Sequence, residues 1–243
     1  MHAEGASIAG LRCHCDQRDD RIRGQLNPMP RIARRGICLV LSAPSGGGKT
    51  AIAEALTASE PDLRRSVSVT TRPARSGEID GEHYHFHTKE SFRALIDSGG
   101  LLEWARVLGR FCYGSPRAPV EAALAAGLDV VFDIDWQGHR QLRAALPGDV
   151  VGVFILPPDL ATLEARLHAR AGDDAAEIAR RMGLALAEIG HWAEFDHTVI
   201  NDDLGAAVES VRAILHAARS ATARQKGLGD FVHKLGSPGQ KVQ

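Results

Sequence analysis

Little in this sequence is in excess, and each shortage removes a class of explanation. Cysteine is scarce, with four in 243 residues. That is too few for a disulfide framework, and Cys38 and Cys112 stand apart from any pairing motif, so nothing points to an oxidising compartment. Cys13, His14 and Cys15 form one soft-ligand cluster, but no second pair at finger-like spacing follows it. Neither sign of charge dominates. The formal net charge is −1, which argues against a broad nucleic-acid surface while leaving room for a local basic site. No apolar run approaches the roughly 20 residues of a membrane span, and no secretory h-region is present. The remainder is an ordinary globular composition, 44% hydrophobic and 24% charged. Its length fits one generous domain. The expectation is a cytoplasmic protein with no nucleic-acid and no membrane partner. Composition leaves monomer and homo-oligomer equally open.

The most informative stretch begins at Ile37. An apolar run through Leu41 feeds Ser42, then Ala43, Pro44, Ser45, Gly46, Gly47, Gly48, Lys49 and Thr50, and a helical pattern (Ile52, Ala55, Leu56) follows. Strand, Gly-rich turn, Lys-Thr and helix together are the layout of a phosphate-binding P-loop. Successive glycines let backbone N–H groups turn inward around phosphate oxygens without Cβ clashes, and the helix dipole faces the same phosphates. Lys49 is placed to reach the β- and γ-phosphates, and the Thr50 hydroxyl to ligate Mg²⁺. Ala43 stands where the motif has its first glycine.

From Ile37 onward strand-like and helix-like periods alternate. Apolar runs occur at 37–41, 130–134, 150–156 and 198–200, with a shorter mixed one at 66–70. Helical spacing links Phe92 to Ile96, Val120 to Leu124, Leu160 to Leu163 and Leu167, Ile178 to Ile189, and Val208 to Leu215. Near-continuous apolar strands between helices predict an α/β fold with a mostly parallel, doubly covered sheet and ligands at its carboxyl ends. Leu160, Leu163 and Leu167 read as core. Two stretches interrupt the alternation, 71–116 and 166–190, and both read as inserted functional modules. Residues 1–35 read as a disordered, Arg-rich extension, 36–220 as the folded domain, and 221–243 as a flexible tail.

Several polar constellations lie on this frame. Ser68 precedes Arg72, Pro73 and Arg75, with Glu78, Gly81 and Tyr84 following. Pro73 disfavours a helix, and two loop arginines with hydroxyls alongside suit an oxyanion such as a second phosphate. Glu103 can accept from a base carrying N–H donors, as guanine does, and Tyr113 and Ser115 offer hydroxyls for its edge. Asp133 and Asp135 are expected on one face of a strand end, placed for Mg²⁺ or for a phosphate acceptor. His83, His85 and His87 alternate, but without a fourth ligand they make a poor zinc site, and Tyr84 and Phe86 explain the alternation.

The ordered set of P-loop, T-T-R-P-x-R-x-G-E-x-x-G-x-x-Y, E-W-A, Y-G-S, D-I-D-x-Q-G, R-x-x-x-R and V-I-N-D-D resembles the guanylate kinases from about Ile37 to about Leu215. The resemblance implies a P-loop NTPase fold and phosphoryl transfer from ATP to GMP. It also implies a nucleoside-monophosphate-binding module near 71–116 and a lid near 166–190. Residue by residue, it assigns Ser68, Arg72, Arg75 and Tyr84 to the GMP phosphate, with Glu78 beside them. Glu103, Ser115 and Asp135 would read guanine, with Tyr113 nearby. Asp133 would lie near the metal and the reacting phosphates. Lys49, Arg72, Arg166, Arg170 and Arg181 would spread charge over the transferring group, and Asn201 would lie near the ATP adenine. Besides Ala43, two features depart from the family pattern: one extra residue between Glu103 and Tyr113, and Cys112 where relatives carry an aromatic. Two rival readings remain, a ribose-bisphosphate-type P-loop kinase and a catalytically silent binding module of the same fold.

Overall fold

The apolar runs that lack polar alternation form the middle of a parallel sheet, because both of their faces are covered. The computed structural model describes residues 32–107, 109–169 and 175–236. Its strands are β1 (Cys38–Ser42), β2 (Leu63–Arg65), β3 (Val69–Thr70), β4 (His85–Phe86), β5 (Leu101–Val107), β6 (Phe111–Pro116), β7 (Asp129–Asp133), β8 (Val150–Leu156) and β9 (His197–Ile200). The helices are α1 (Lys49–Ser59), α2 (Lys89–Asp97), α3 (Arg117–Ala125), α4 (Trp136–Ala145), α5 (Leu160–His168), α6 (Ala175–Ile189), α7 (Leu204–Ser220) and α8 (Leu228–Gly236).

The main sheet runs β2-β7-β1-β8-β9, all parallel. Every residue of β1 is buried. Leu39 and Leu41 pack on one side with Ile52 and Leu56 of α1 and Val211 and Leu215 of α7. Cys38 and Val40 face the other way, against Val120 and Leu124 of α3 and Leu142 of α4. The two-residue period of the strand thus divides one short segment between two cores. Strand β1 lies between β7 and β8: the chain leaves β1 for β2 on one side and later crosses from β7 to β8 on the other, and this switch in strand order leaves a crevice at the carboxyl ends. A second sheet, β4-β3-β6-β5, stands within the 71–116 stretch and its flanks. Phe92 of α2 covers it with Val69 and Leu101.

Four expectations change. The strand expected over 66–70 shrinks to Val69–Thr70, which joins the second sheet, while the preceding Leu63–Arg65, not expected as a strand, joins the main sheet through β7. The hairpin β5–β6 and helix α4 were not legible. The hairpin exposes mixed residues, and α4 opens on Trp-Gln-Gly-His, which hides its period. Leu160 is not core but 47% exposed, because it begins α5, whereas Leu163 and Leu167 are fully buried. Finally, the segment expected as a tail is folded through α8, with Arg224 only 9% exposed and donating to the carbonyls of Gly36 (3.1 Å) and Gly148 (2.7 Å).

The amino ends of the strands are tied by charge. Asp129, with no exposed side-chain surface, accepts two bonds from Arg34 (2.6 and 2.9 Å), one from Arg219 (2.7 Å) and one from the Ile37 N–H (2.9 Å). Arg219 also pairs with Glu60 at 2.6 Å. Removing one partner of such a buried pair leaves the other charge uncompensated. Asp129→Asn should therefore lower unfolding free energy by about 3–5 kcal/mol, read from urea denaturation. A loss within experimental error would show that the network adds nothing.

Candidate active site

The crevice at the carboxyl end of β1 is built around the turn into α1. Gly46 (φ 87°) and Gly48 (φ 99°) are left-handed, a conformation that side chains resist. The Gly47 N–H closes the turn on the Pro44 carbonyl at 2.8 Å. A Cβ on Gly47 would stand 2.8 Å from the Ala43 methyl. The loop therefore accommodates Ala43 because Gly47 has no side chain, which accounts for the departure from the motif. Leu163 of α5 lies directly under Gly46. Asn201, 4% exposed, donates its amide to the Gly47 carbonyl at 2.9 Å and fills the space a Gly48 side chain would need. Arg166 in turn donates to the Asn201 carbonyl at 3.0 Å. The residue that the family pattern places near adenine thus braces the loop backbone from below through its amide.

Asp133, the last residue of β7, is the hub. Its Oδ2 accepts from the Thr50 hydroxyl at 2.6 Å, and its Oδ1 lies 3.2 Å from Lys49 Nζ. Arg65 approaches at 3.8 Å. Asp133 Oδ1 is buried yet makes no hydrogen bond among the described residues. Asp135 does not share a strand face with Asp133. The strand has ended, and Asp135 caps α4 by accepting from the Gly138 N–H at 2.9 Å. It still lines a cavity of about 180 Å³ with Pro44, Ser45, Lys49, Thr50 and Glu188. Glu188 reaches this cavity from α6 and accepts from the Ser45 N–H at 3.2 Å. Burial pushes its carboxyl above the ordinary range.

Asp133 also borders a second cavity of about 360 Å³, lined by Ser68, Tyr84 and Ser115 among others. Beside it, Arg72 (8% exposed) is gripped by both oxygens of Glu78, at 2.7 and 3.0 Å, and lies 5.3 Å from the centre of the Tyr84 ring. Glu78 accepts the Arg75 backbone N–H as well, at 2.7 Å. The pKa of its carboxyl is held down to about 2, chiefly by the Arg72 guanidinium, so it stays ionised. Glu78 therefore holds the arginine loop in shape, while the Arg75 side chain is exposed. Tyr113 meets Tyr84 edge-on at 5.9 Å.

Glu103 is 6% exposed and accepts from the Ser115 hydroxyl at 2.6 Å. The two sit opposite each other in the β5–β6 register. The extra residue noted in the sequence therefore does not disturb them, since Val107 pairs with Phe111 and the surplus falls in the turn. Cys112 packs toward Val69, Phe92 and Leu101. Burial, with Asp135 a lesser cause, raises the Glu103 carboxyl to about 7.

Arg181 pairs with Glu177 on α6 at 3.0 Å. Arg170 lies outside the described residues. His83 and His87 are engaged separately, by the Ile79 N–H and the Ser91 hydroxyl.

A family model described as guanylate kinase matches residues 35–218. A protein of Gluconobacter oxydans named guanylate kinase is 63% identical over 84% of this chain and 98% of its own length. One from Granulibacter bethesdensis is 54% identical over 87% and 98%. The crystal structure of a guanylate kinase from Anaplasma phagocytophilum superposes with a TM-score of 0.66 at 32% identity, covering 84% of this chain and 96% of that one.

The chain belongs to the guanylate kinase family. It is a phosphotransferase with the α/β P-loop fold that the strand–helix alternation predicts. Beyond the residues named from the family pattern, this guanylate kinase fold brings four more to the site. Glu188 and Arg65 carry charge into the two cavities. Gly138 gives Glu103 room, since a Cβ there would stand 3.1 Å from its Oε2. Gln141 anchors β5 by bonding both the N–H (3.1 Å) and the carbonyl (3.0 Å) of Trp104. Two had a local signal: Gly138 closes the D-I-D-x-Q-G motif, and Glu188 stands seven residues after Arg181 and thus on its helical face.

The Glu103 environment makes a pH prediction. Its carboxyl titrates near the ordinary value in the unfolded chain and at about 7 when folded, so the folded state holds the proton more tightly. Its own contribution to stability is then greatest in acid and falls as pH rises from about 4 to about 7. Glu103→Gln abolishes that fall. Between pH 4 and pH 8, the stability of the variant relative to the parent should rise by roughly 2–4 kcal/mol, measured by urea denaturation without nucleotide. A difference independent of pH would refute the assignment.

Proposed function

We propose that the protein transfers the γ-phosphoryl group of ATP to GMP, giving ADP and GDP, as a cytoplasmic enzyme of purine nucleotide metabolism acting on small molecules alone. The observation that carries this reading is Asp133. One carboxylate borders the acceptor cavity and also contacts both Lys49 and Thr50 of the P-loop, so two nucleotides seated in the two cavities would meet at it. ATP phosphates would lie on the N–H groups of 44–50 and on Lys49. The GMP phosphate would lie among Ser68, Arg72, Arg75 and Tyr84, with guanine N1–H and N2–H donating to Glu103 beside Ser115 and Asp135. The stretch 71–116 is then the acceptor module, and 166–190, with Arg166 and Arg181, the lid.

In the transfer, an oxygen of the GMP phosphate bonds to the γ-phosphorus. The bond from that phosphorus to the β–γ bridging oxygen breaks, and its electron pair stays on ADP. The GMP phosphate is already largely ionised near neutral pH, so no side chain need act as a strong base. Lys49 and the arginines disperse the equatorial charge, and closure excludes water. The Thr50 hydroxyl and the Asp133 carboxylate beside it are oxygen donors of the kind that fit a divalent cation. Mg²⁺ held there would neutralise the β- and γ-phosphate oxygens.

A coupled assay offering GMP, AMP, dTMP and ribose 1,5-bisphosphate separates the rivals: GMP should be turned over far better than the rest. Preference for the ribose ester would favour the sugar-phosphate kinase reading, and no turnover with any acceptor would favour a silent module. Lys49→Ala should cut kcat by about 10²–10³-fold with its circular dichroism unchanged. Near-parental GDP formation would remove Lys49 from the mechanism.

A further inference from the structure

The P-loop holds an anion of the protein's own. Its inward N–H groups and the start of α1 form a positively polarised concavity. The Glu188 carboxylate enters it from α6 and takes the Ser45 N–H at 3.2 Å. It lines the same 180 Å³ cavity as Ala43, Pro44, Gly46, Gly48, Lys49 and Thr50. The end of α6 is fixed nearby: three residues beyond Glu188, the His191 ring stacks on Trp136 at 3.6 Å, and Arg140 lies 4.5 Å from the same indole. The buried Ala185, one turn earlier, anchors the helix from within. Glu188 is therefore delivered by a packed element, in a place that a bound phosphate would claim. Both the carboxylate and the phosphate cannot hold the Ser45 amide, and like charges so close repel.

We propose that Glu188 is the P-loop's resident counter-anion, and that it sets the affinity for ATP by having to be displaced. The proposal rests on the reading that ATP phosphates occupy this loop. When Glu188 leaves, the face of α6 that also carries Glu177 and Arg181 loses its tie to the loop, since residues 177, 181 and 188 share one helical stripe. Displacement thus couples filling of the loop to release of the helix bearing an arginine. The apparent dissociation constant is raised by the factor by which the carboxylate-filled state outweighs the open one.

The test compares the parent with Glu188→Gln, which keeps the shape and removes the charge, and with Glu188→Ala. Calorimetry would measure ATP and inorganic tripolyphosphate, a probe with charge and no base. Both should bind about three- to tenfold more tightly to the variants, the worth of one partly screened charge-assisted hydrogen bond. KM for GMP should stay within about twofold. The Ser45 amide resonance should shift between parent and Gln variant without nucleotide, and coincide when both are saturated with ATP. Unchanged or weaker binding of both ligands in both variants would overturn the proposal while leaving the ATP site intact. Should the parent itself bind neither ligand, the ATP reading of the loop fails, and this inference with it.

Discussion

An anion cradle has to hold an anion, or something must stand in its place. The loop from Ala43 to Thr50 lines one small cavity with Lys49 at the start of α1, whose dipole is positive at that end. Left bare, that concentration of positive potential would be costly in a partly buried crevice. The surrounding architecture answers this demand twice over. Asp133 at the end of β7 neutralises Lys49 and occupies Thr50, and Glu188 from α6 takes the Ser45 amide. Both acids come from far along the chain, so the loop's shape depends on the sheet and on α6, not on local sequence alone. From below, Asn201 and Leu163 press on the glycines whose missing side chains make the contact possible.

The molecule divides labour along its strands. At the amino ends, Asp129 gathers Arg34, Arg219 and a backbone amide in a network with every partner supplied by the protein. Within it, Arg219 Nη2 is buried without a hydrogen bond among the described residues. At the carboxyl ends the arrangement is deliberately incomplete: Asp133 Oδ1 and Arg166 Nη1 are buried without hydrogen bonds among the described residues. Asp133 Oδ1 belongs to the residue that borders the second cavity, and a buried polar group without a partner is uncommon.

The sequence made the first strand, the phosphate turn and the helix after it legible because all three are local and each residue type has a steric or electrostatic reason. The doubly covered sheet followed from apolar runs without alternation, and β8 lies over 150–156 as expected. What escaped was whatever depends on partners distant in the chain. Glu103 and Ser115 could be named, but that they face each other follows from a hairpin register that absorbs an extra residue in its turn. Asp135 looked like a second strand-end acid because its role as a helix cap requires knowing that β7 has already stopped. Asn201 bonds Gly47 across 154 positions and Glu188 bonds Ser45 across 143. No periodicity reports such a pair. The C-terminal segment misled for a related reason: its composition is polar and glycine-rich, yet Arg224 is buried by carbonyls from two distant turns.

The acceptor side follows the same logic as the loop, with opposite signs. Arg72 waits in a two-pronged grip by Glu78, and Glu103 waits buried, with Ser115 its hydrogen-bond donor and its charge disfavoured. A phosphate offered to Arg72 joins a guanidinium already fixed in place, so little side-chain entropy is lost on binding. A guanine edge offered to Glu103 supplies N–H donors to a carboxylate that burial has left under-solvated. A base with an acceptor at that position would meet a like-polarity oxygen in a site too dry to compensate. On the proposed reading, discrimination would arise less from attraction to guanine than from the cost of seating anything else, a cost that rests on the burial of Glu103.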